Sequence, residues 1–238
     1  MKKVIIAIVA FFVAAFVMFG VMLGIGISKD SKQLDVYQVA MEDFQQAVDD
    51  DSVTAEKIRS LADEVKSEGD YARVEKAAKE YLRDVFVPFY VANELQQDGI
   101  YSEGVSPNLL TTDGPEFAAS FAKTNAMLAQ LEQIQTTLDT LFTRDAALEY
   151  LGDGLDEYYV ELFETEVRDV YEDVALKNSY EKYIATVRPI SNQYQKMMYF
   201  LKDNGSRWRI ENGMIIFTTT KLTDEFNRLS DELGALGQ

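Results

Sequence analysis

The sequence contains no histidine and no cysteine, and it has only four prolines. Without histidine, the chain has no imidazole general base, no histidine-containing nucleophile triad and no histidine-ligated zinc or haem site. Without cysteine, it has no disulfide and no lipid-modified cysteine anchor. No glycine-rich phosphate-binding loop is present. Carboxylates are therefore the acid–base groups that the chain has in quantity.

The first long feature that is present is an apolar run from Val4 to Ile27 without a charged side chain. A helix needs roughly 20 apolar residues to cross a ~30 Å hydrocarbon core, whereas the core of a cleaved secretory signal has about 7–15. The run predicts a transmembrane helix over residues 4–27 that stays attached, with cleavage near Ile27 as the alternative. Lys2 and Lys3 predict a cytoplasmic stub of residues 1–3 and an extracytoplasmic bulk. The expected location is a cell membrane, crossed once.

The rest of the chain is strongly acidic, because the whole sequence has 40 acidic against 23 basic residues. Such a surface repels phosphate backbones, which argues against nucleic-acid binding. It can attract basic partners or divalent cations, and it can also serve solubility alone. The acidic run Asp49–Asp51 and the cluster of Asp153, Asp156 and Glu157 lack the ligand spacing of a calcium loop. We therefore expect no metal and no cofactor.

The fold class predicted beyond the membrane segment is mainly α, an elongated helical bundle with one C-terminal β-hairpin. Apolar residues after the span alternate in steps of three and four, which is typical of a helical seam. We predict a helical stalk over residues 28–51 and a bundle over residues 52–238. The stalk seam is the candidate partner-binding surface, and it consists of Leu34, Tyr37, Met41, Phe44 and Val48. It must pack on another helix of this chain, on a second copy or on a membrane partner.

Local signals predict where the bundle helices break. The acidic run Asp49–Asp51 should cap the second helix, Pro88 should kink or end the third, and residues 99–114 should form the longest loop. Pro115 should occupy the first position of the next helix. Residues 155–204 read as one helix that Pro189 bends.

The C-terminal hairpin, over residues 207–218, is predicted from Asn212–Gly213, which is typical of a type I′ turn. A two-residue turn there places Trp208 opposite Phe217 and Ile210 opposite Ile215 on one face. That face should lie on a helix, because an isolated hairpin is marginally stable in water. The same argument predicts a substantially buried Trp208.

The order of elements resembles a group of single-pass proteins of Gram-positive bacterial envelopes. The features that carry this resemblance are the Lys-Lys-apolar start, Asp-Gly-Pro-Glu-Phe at Asp113–Phe117, and Trp-x-Ile-x-x-Gly at Trp208–Gly213 before a short helix. The motifs are short, but the resemblance in the order of elements spans most of the chain. The resemblance implies an envelope location and no known activity.

Three functions stay open on the sequence. The first is a non-catalytic binding or scaffolding protein whose helices contact another envelope or membrane protein, or a second copy of the chain. The second is an extracytoplasmic ligand-binding module that serves a separate membrane partner, for which the frequent tyrosines offer an aromatic surface for sugar or peptide. Packing between helices explains the tyrosines equally well. The third is a carboxylate-dependent cell-wall enzyme.

Overall fold

The computed structural model describes residues 31–50, 52–97 and 100–236, of which about 80% are helical. The mainly helical fold with a C-terminal antiparallel hairpin is confirmed. The predicted stub 1–3 and transmembrane helix 4–27 lie outside the described residues. Within the described ranges, no helix is both long and apolar enough to cross a membrane.

The secondary structure is a succession of helices that ends with the hairpin and a last helix. In chain order the elements are α1 (Ser31–Val48), α2 (Ala55–Asp63), α3 (Gly69–Gln96), α4 (Ile100–Glu103), α5 (Pro107–Asp113), α6 (Ala118–Thr140), α7 (Arg144–Leu151), α8 (Glu157–Glu172), α9 (Val174–Asp203), β1 (Trp208–Glu211), β2 (Met214–Phe217) and α10 (Thr220–Leu236).

These elements form two compact units. Unit 1 comprises the described residues up to Tyr90 together with Ile134–Glu181, and unit 2 comprises those of Val91–Gln133 and from Lys182 onward. In unit 1, α1 packs on α2, and α7 packs on α8. In unit 2, β1 contacts α5 and β2 contacts α10. The described part of the expected stalk, α1, belongs to the same unit as α2 and α8.

Several helix boundaries differ from the prediction because side-chain caps decide them. Thr54, not the acidic run, caps α2, since its hydroxyl accepts from the Lys57 amide at 3.2 Å. The predicted 155–204 helix is broken at Asp173, whose carboxylate accepts from the Ala175 amide at 2.7 Å and starts α9. The predicted loop over 99–114 contains α4 and α5. Pro88 lies inside α3 and does not end it.

Pro115 does not open α6, which begins three residues later at Ala118. The carboxylate of Asp113 accepts from the amides of Ala119 at 3.0 Å and Ser120 at 2.8 Å, so it caps this helix from outside. Phe117 adopts a positive φ of 54°, a conformation that costs a non-glycine residue of order 1–3 kcal/mol. Its fully buried ring offsets this cost.

The hairpin has the predicted register, with Trp208 paired to Phe217 and Ile210 to Ile215. Asn212 and Gly213 both have positive φ, as a type I′ turn requires. Phe217 packs on Phe226 of α10 with ring centroids 5.4 Å apart. Trp208 is more buried than exposed, in agreement with the prediction, and its indole N–H donates to the Leu201 carbonyl at 2.8 Å.

Candidate functional site

The predicted partner-binding seam on α1 is buried within unit 1. Tyr37, Met41 and Phe44 are at most 2% exposed, Val48 is 8% exposed, and Leu34 is half-buried. The seam is therefore part of the core of unit 1, and helices of the same chain cover it rather than a second copy or a membrane partner. The period of the sequence showed which face of α1 is apolar, but other helices of the same chain cover that face.

Contacts from α3 and α8 explain how the seam is covered. The Tyr37 ring lies 6.0 Å from the Tyr71 ring at the start of α3. The ammonium of Lys79 lies 6.0 Å from the centre of the Phe44 ring. At the end of α1, the Val48 carbonyl accepts a hydrogen bond from the Tyr90 hydroxyl. Contact begins early in the helix, because the Gln33 side chain accepts from the Glu68 amide at 2.9 Å.

A buried ion pair supports this docking from inside α3. Glu75 and Lys79 are at most 2% exposed, and their charged atoms are 2.7 Å apart. The Glu75 carboxylate also accepts from the hydroxyl of Ser67 at 2.6 Å and from two backbone amides. Burial opposes ionisation of Glu75, but the hydrogen bonds outweigh it and hold the pKa of its carboxyl below the usual value. The pair ties the segment after α2 to α3.

A second buried carboxylate, Glu166 of α8, meets α1, and no cation of the described residues pairs with it. Its carboxylate accepts from the Gln45 side chain at 3.1 Å. Burial raises the pKa of Glu166 to about 7, although its contacts with Tyr37 and Gln45 act in the opposite direction. Burial and the nearby carboxylate raise the pKa of Tyr37 well above its usual value. The Tyr37 hydroxyl faces this carboxylate but makes no well-aligned hydrogen bond within the described residues. Protonation of Glu166 near neutral pH is the chemistry that this arrangement allows.

Most tyrosines serve packing in the structure. Tyr71 lies edge-to-face with Tyr158 and Tyr159, at ring distances of 6.3 and 5.2 Å. Rings this close touch each other and leave no room for a ligand between them. Tyr180 is buried against Phe89, 5.1 Å away. Tyr199 differs, because it lies on α9 of unit 2 and is 55% exposed.

Among the other acidic residues near α8, Glu164 and Asp153 make internal contacts. Glu164 forms ion pairs with Arg144 and Arg168, the latter at 3.3 Å. The backbone carbonyl of Asp153 accepts from the Arg73 guanidinium at 2.9 Å. Over the residues that the structure describes, no group of three or more acidic side chains is placed to hold a metal ion.

Comparison with known proteins gives no match. It matches no protein-family model, no curated protein and no solved structure. The resemblance to Gram-positive envelope proteins therefore stays a prediction, and the function must be argued from the chain's own surfaces and buried groups.

The sequence analysis did not single out Glu166, although its position in the sequence indicates that it is buried. It lies three residues after Phe163 and four before Val170, so it shares the apolar stripe of α8. A carboxylate on the buried stripe of an amphipathic helix is expected to have a perturbed pKa.

Proposed function

We propose that this protein is a membrane-anchored, extracytoplasmic scaffolding protein of the cell envelope that binds another protein through helix surfaces and does so without catalysis. The observation that supports this best is the packing of α1 on the other helices of unit 1. Only residues 28–32 separate the predicted span from Gln33, where contact with unit 1 begins. Five residues reach at most about 18 Å, so unit 1 would be held close to the membrane surface.

The charge of unit 1 indicates the kind of partner. Among the described residues, unit 1 carries 26 acidic and 11 basic side chains, whereas unit 2 carries 11 and 9. A surface with an excess of one sign steers partners of the opposite sign and repels its own copies. A basic partner protein fits unit 1 better than a second copy of this chain does. The exposed acidic side chains of α8, which include Glu161 and Asp169, are the surface that we assign to it.

Photo-crosslinking in native membranes tests this assignment. A photoreactive amino acid at position 161 or 169 should capture a basic partner that mass spectrometry identifies, and added salt should weaken the capture. The same probe at Met41 should yield only links within unit 1. Capture of a partner from position 41, or none from α8, would contradict the proposal.

Charge reversal supplies the matched control. Glu161→Lys with Asp169→Lys should reduce the captured partner by about tenfold. Asp224→Lys, which changes an exposed carboxylate on α10 of unit 2, should leave it unchanged.

The non-catalytic part of the proposal has a separate test. Three buried carboxylates, Glu75, Glu164 and Glu166, are each engaged by side chains of unit 1. The purified full-length protein should therefore not hydrolyse wall glycan or wall peptide. Turnover that is lost on substitution of a single carboxylate would support the carboxylate-dependent enzyme instead.

A further inference from the structure

The part of α6 and the part of α9 that belong to unit 2 run antiparallel and form a regular ladder of side-chain pairs. Phe121 lies against Tyr199, with ring centroids 4.6 Å apart. One turn along α6, Asn125 pairs with Gln195, whose amide nitrogen donates to the Asn125 oxygen at 2.6 Å. Four residues forward on α6 thus correspond to four residues back on α9. The spacing between these two rungs is about 6 Å along the helix axis.

Ion pairs close the ladder at both ends. Lys202 pairs with Glu116 at 2.8 Å beside the aromatic rung. Arg188 pairs with Glu132 at 2.8 Å, seven residues beyond the amide rung. Each pair is electrically neutral as a unit. The rungs between the ends are uncharged, in a chain whose net charge is −17.

The two central rungs are accessible to solvent, and the hydrogen-bonding groups of the amide rung are not all paired. Tyr199 is 55% exposed, Phe121 is half-buried beneath it, and Asn125 is exposed. The nitrogen of Gln195 also donates to Thr124 at 3.3 Å. In the described part of the chain, the Asn125 side-chain nitrogen donates to no group and the Gln195 side-chain oxygen accepts from none. One free donor and one free acceptor therefore lie side by side, one turn from an exposed aromatic ring.

The geometry points to this strip, which we call the α6–α9 ladder, as a binding site for an uncharged oligosaccharide. The apolar face of one sugar ring would stack on Tyr199, as apolar ligand surfaces do on aromatic side chains. Hydroxyl groups of the next ring would accept from Asn125 and donate to Gln195, because a side-chain amide offers both functions. The rung spacing is comparable to the length of one sugar residue. Neither the membrane anchor nor the acidic surface of α8 enters this inference, which goes beyond the scaffolding role.

An uncharged sugar fits the ladder better than a charged ligand does. Lys202 and Arg188 at the ends are each paired with a carboxylate, and the two central rungs carry no charge. An exposed strip of this kind buries little apolar area, and a peptide would need more apolar contact than one exposed tyrosine supplies. A sugar needs only one stacking face and a few hydrogen bonds, which is what the two central rungs provide.

The experiment titrates the full-length protein with N-acetylated chitotriose and with maltotriose. The protein is kept in a detergent without a sugar headgroup, so that the detergent does not occupy the site. At least one of the two sugars should cause saturable NMR shifts of the Asn125 and Gln195 side-chain amide signals. Tyr199→Ala should weaken this binding by about tenfold or more, and Tyr199→Phe should retain it within about threefold. Tyr171→Ala, a matched removal of a half-buried tyrosine from unit 1, should leave it unchanged.

A second variant keeps the test valid if Tyr199→Ala fails to fold. Asn125→Asp alters an exposed side chain, removes the free donor and should weaken binding by about tenfold. Three results would overturn the inference: no saturable shift with either sugar, shifts that neither variant reduces, or tighter binding of an acidic oligosaccharide or an uncharged peptide at the same signals. Tighter binding of the acidic sugar would instead assign the contact to the neighbouring lysines, Lys123 and Lys196.

Discussion

Replacement of Glu166 by glutamine should change how the stability of unit 1 depends on pH. The pKa of this carboxyl is raised from its ordinary value of 4.5 to about 7 because it is buried. A proton is thus bound more tightly in the folded state than in the unfolded state. The contribution of Glu166 to the unfolding free energy therefore falls as pH rises from about 4.5 to 7.

The size of the effect follows from the raised pKa. A difference of about 2.5 pKa units corresponds to about 3 kcal/mol, at about 1.36 kcal/mol per unit. At pH 8 the native chain bears this cost, whereas Glu166→Gln does not. Glutamine can still accept from Gln45 through its amide oxygen. We expect the variant to be about 2–3 kcal/mol more stable than the native chain at pH 8 and nearly equal to it at pH 5.

Urea unfolding followed by far-ultraviolet circular dichroism at pH 5 and pH 8 measures the difference directly. The carboxyl carbon signal of Glu166, followed by NMR against pH, should titrate near neutrality. Glu161→Gln provides the control, because it removes an exposed carboxylate from the same helix and should leave the pH dependence unchanged. Equal pH dependence in the native chain and Glu166→Gln would refute the reasoning.

Three further substitutions test the packing. Met41→Glu with Phe44→Glu should unfold unit 1 at a cost of at least about 5 kcal/mol, because both side chains are core; a folded unit by circular dichroism would mean that the α1 seam is a surface. Lys79→Met should cost about 3–5 kcal/mol in urea unfolding, because it leaves Glu75 buried without its cation, and Lys79→Met with Glu75→Gln should recover part of that loss. Gly114→Ala should cost about 1–3 kcal/mol and lower the melting temperature, because its Cβ would lie 2.5 Å from the backbone carbonyl one turn earlier; an unchanged melting temperature would show that the turn adapts.

Elements whose conformation is decided by residues adjacent in the sequence could be predicted. The turn at Asn212–Gly213 needs two positive φ values, and few residue types supply them, so the turn fixed the hairpin register in advance. The end of α1 at Val48 also agrees with the apolar period.

Features that depend on the tertiary fold could not be read from the sequence. The period of α1 showed an apolar face, but not whether the same chain, a second copy or a partner covers it. Pro115 matched a signal for a helix start, yet the carboxylate of Asp113 reaches past it to cap Ala119. The α6–α9 ladder brings together Asn125 and Gln195, which are 70 residues apart, so only the helix pairing reveals it.

The two motifs that carried the resemblance, around Gly114 and around Trp208, form a single contact in unit 2. A Cβ added at Gly114 would lie 3.2 Å from the Trp208 ring, and one added at Gly205 would lie 3.1 Å from Pro115. The Trp208 ring therefore adds to the restriction that the Leu110 carbonyl already places on Gly114, and Pro115 restricts Gly205, which lies just before the second motif. In relatives of this chain, we expect the two motifs to be either both present or both absent, because their residues pack against each other. A larger residue at position 114 would need both a smaller side chain at position 208 and a shift of the Leu110 carbonyl, which would lie 2.5 Å from the added Cβ.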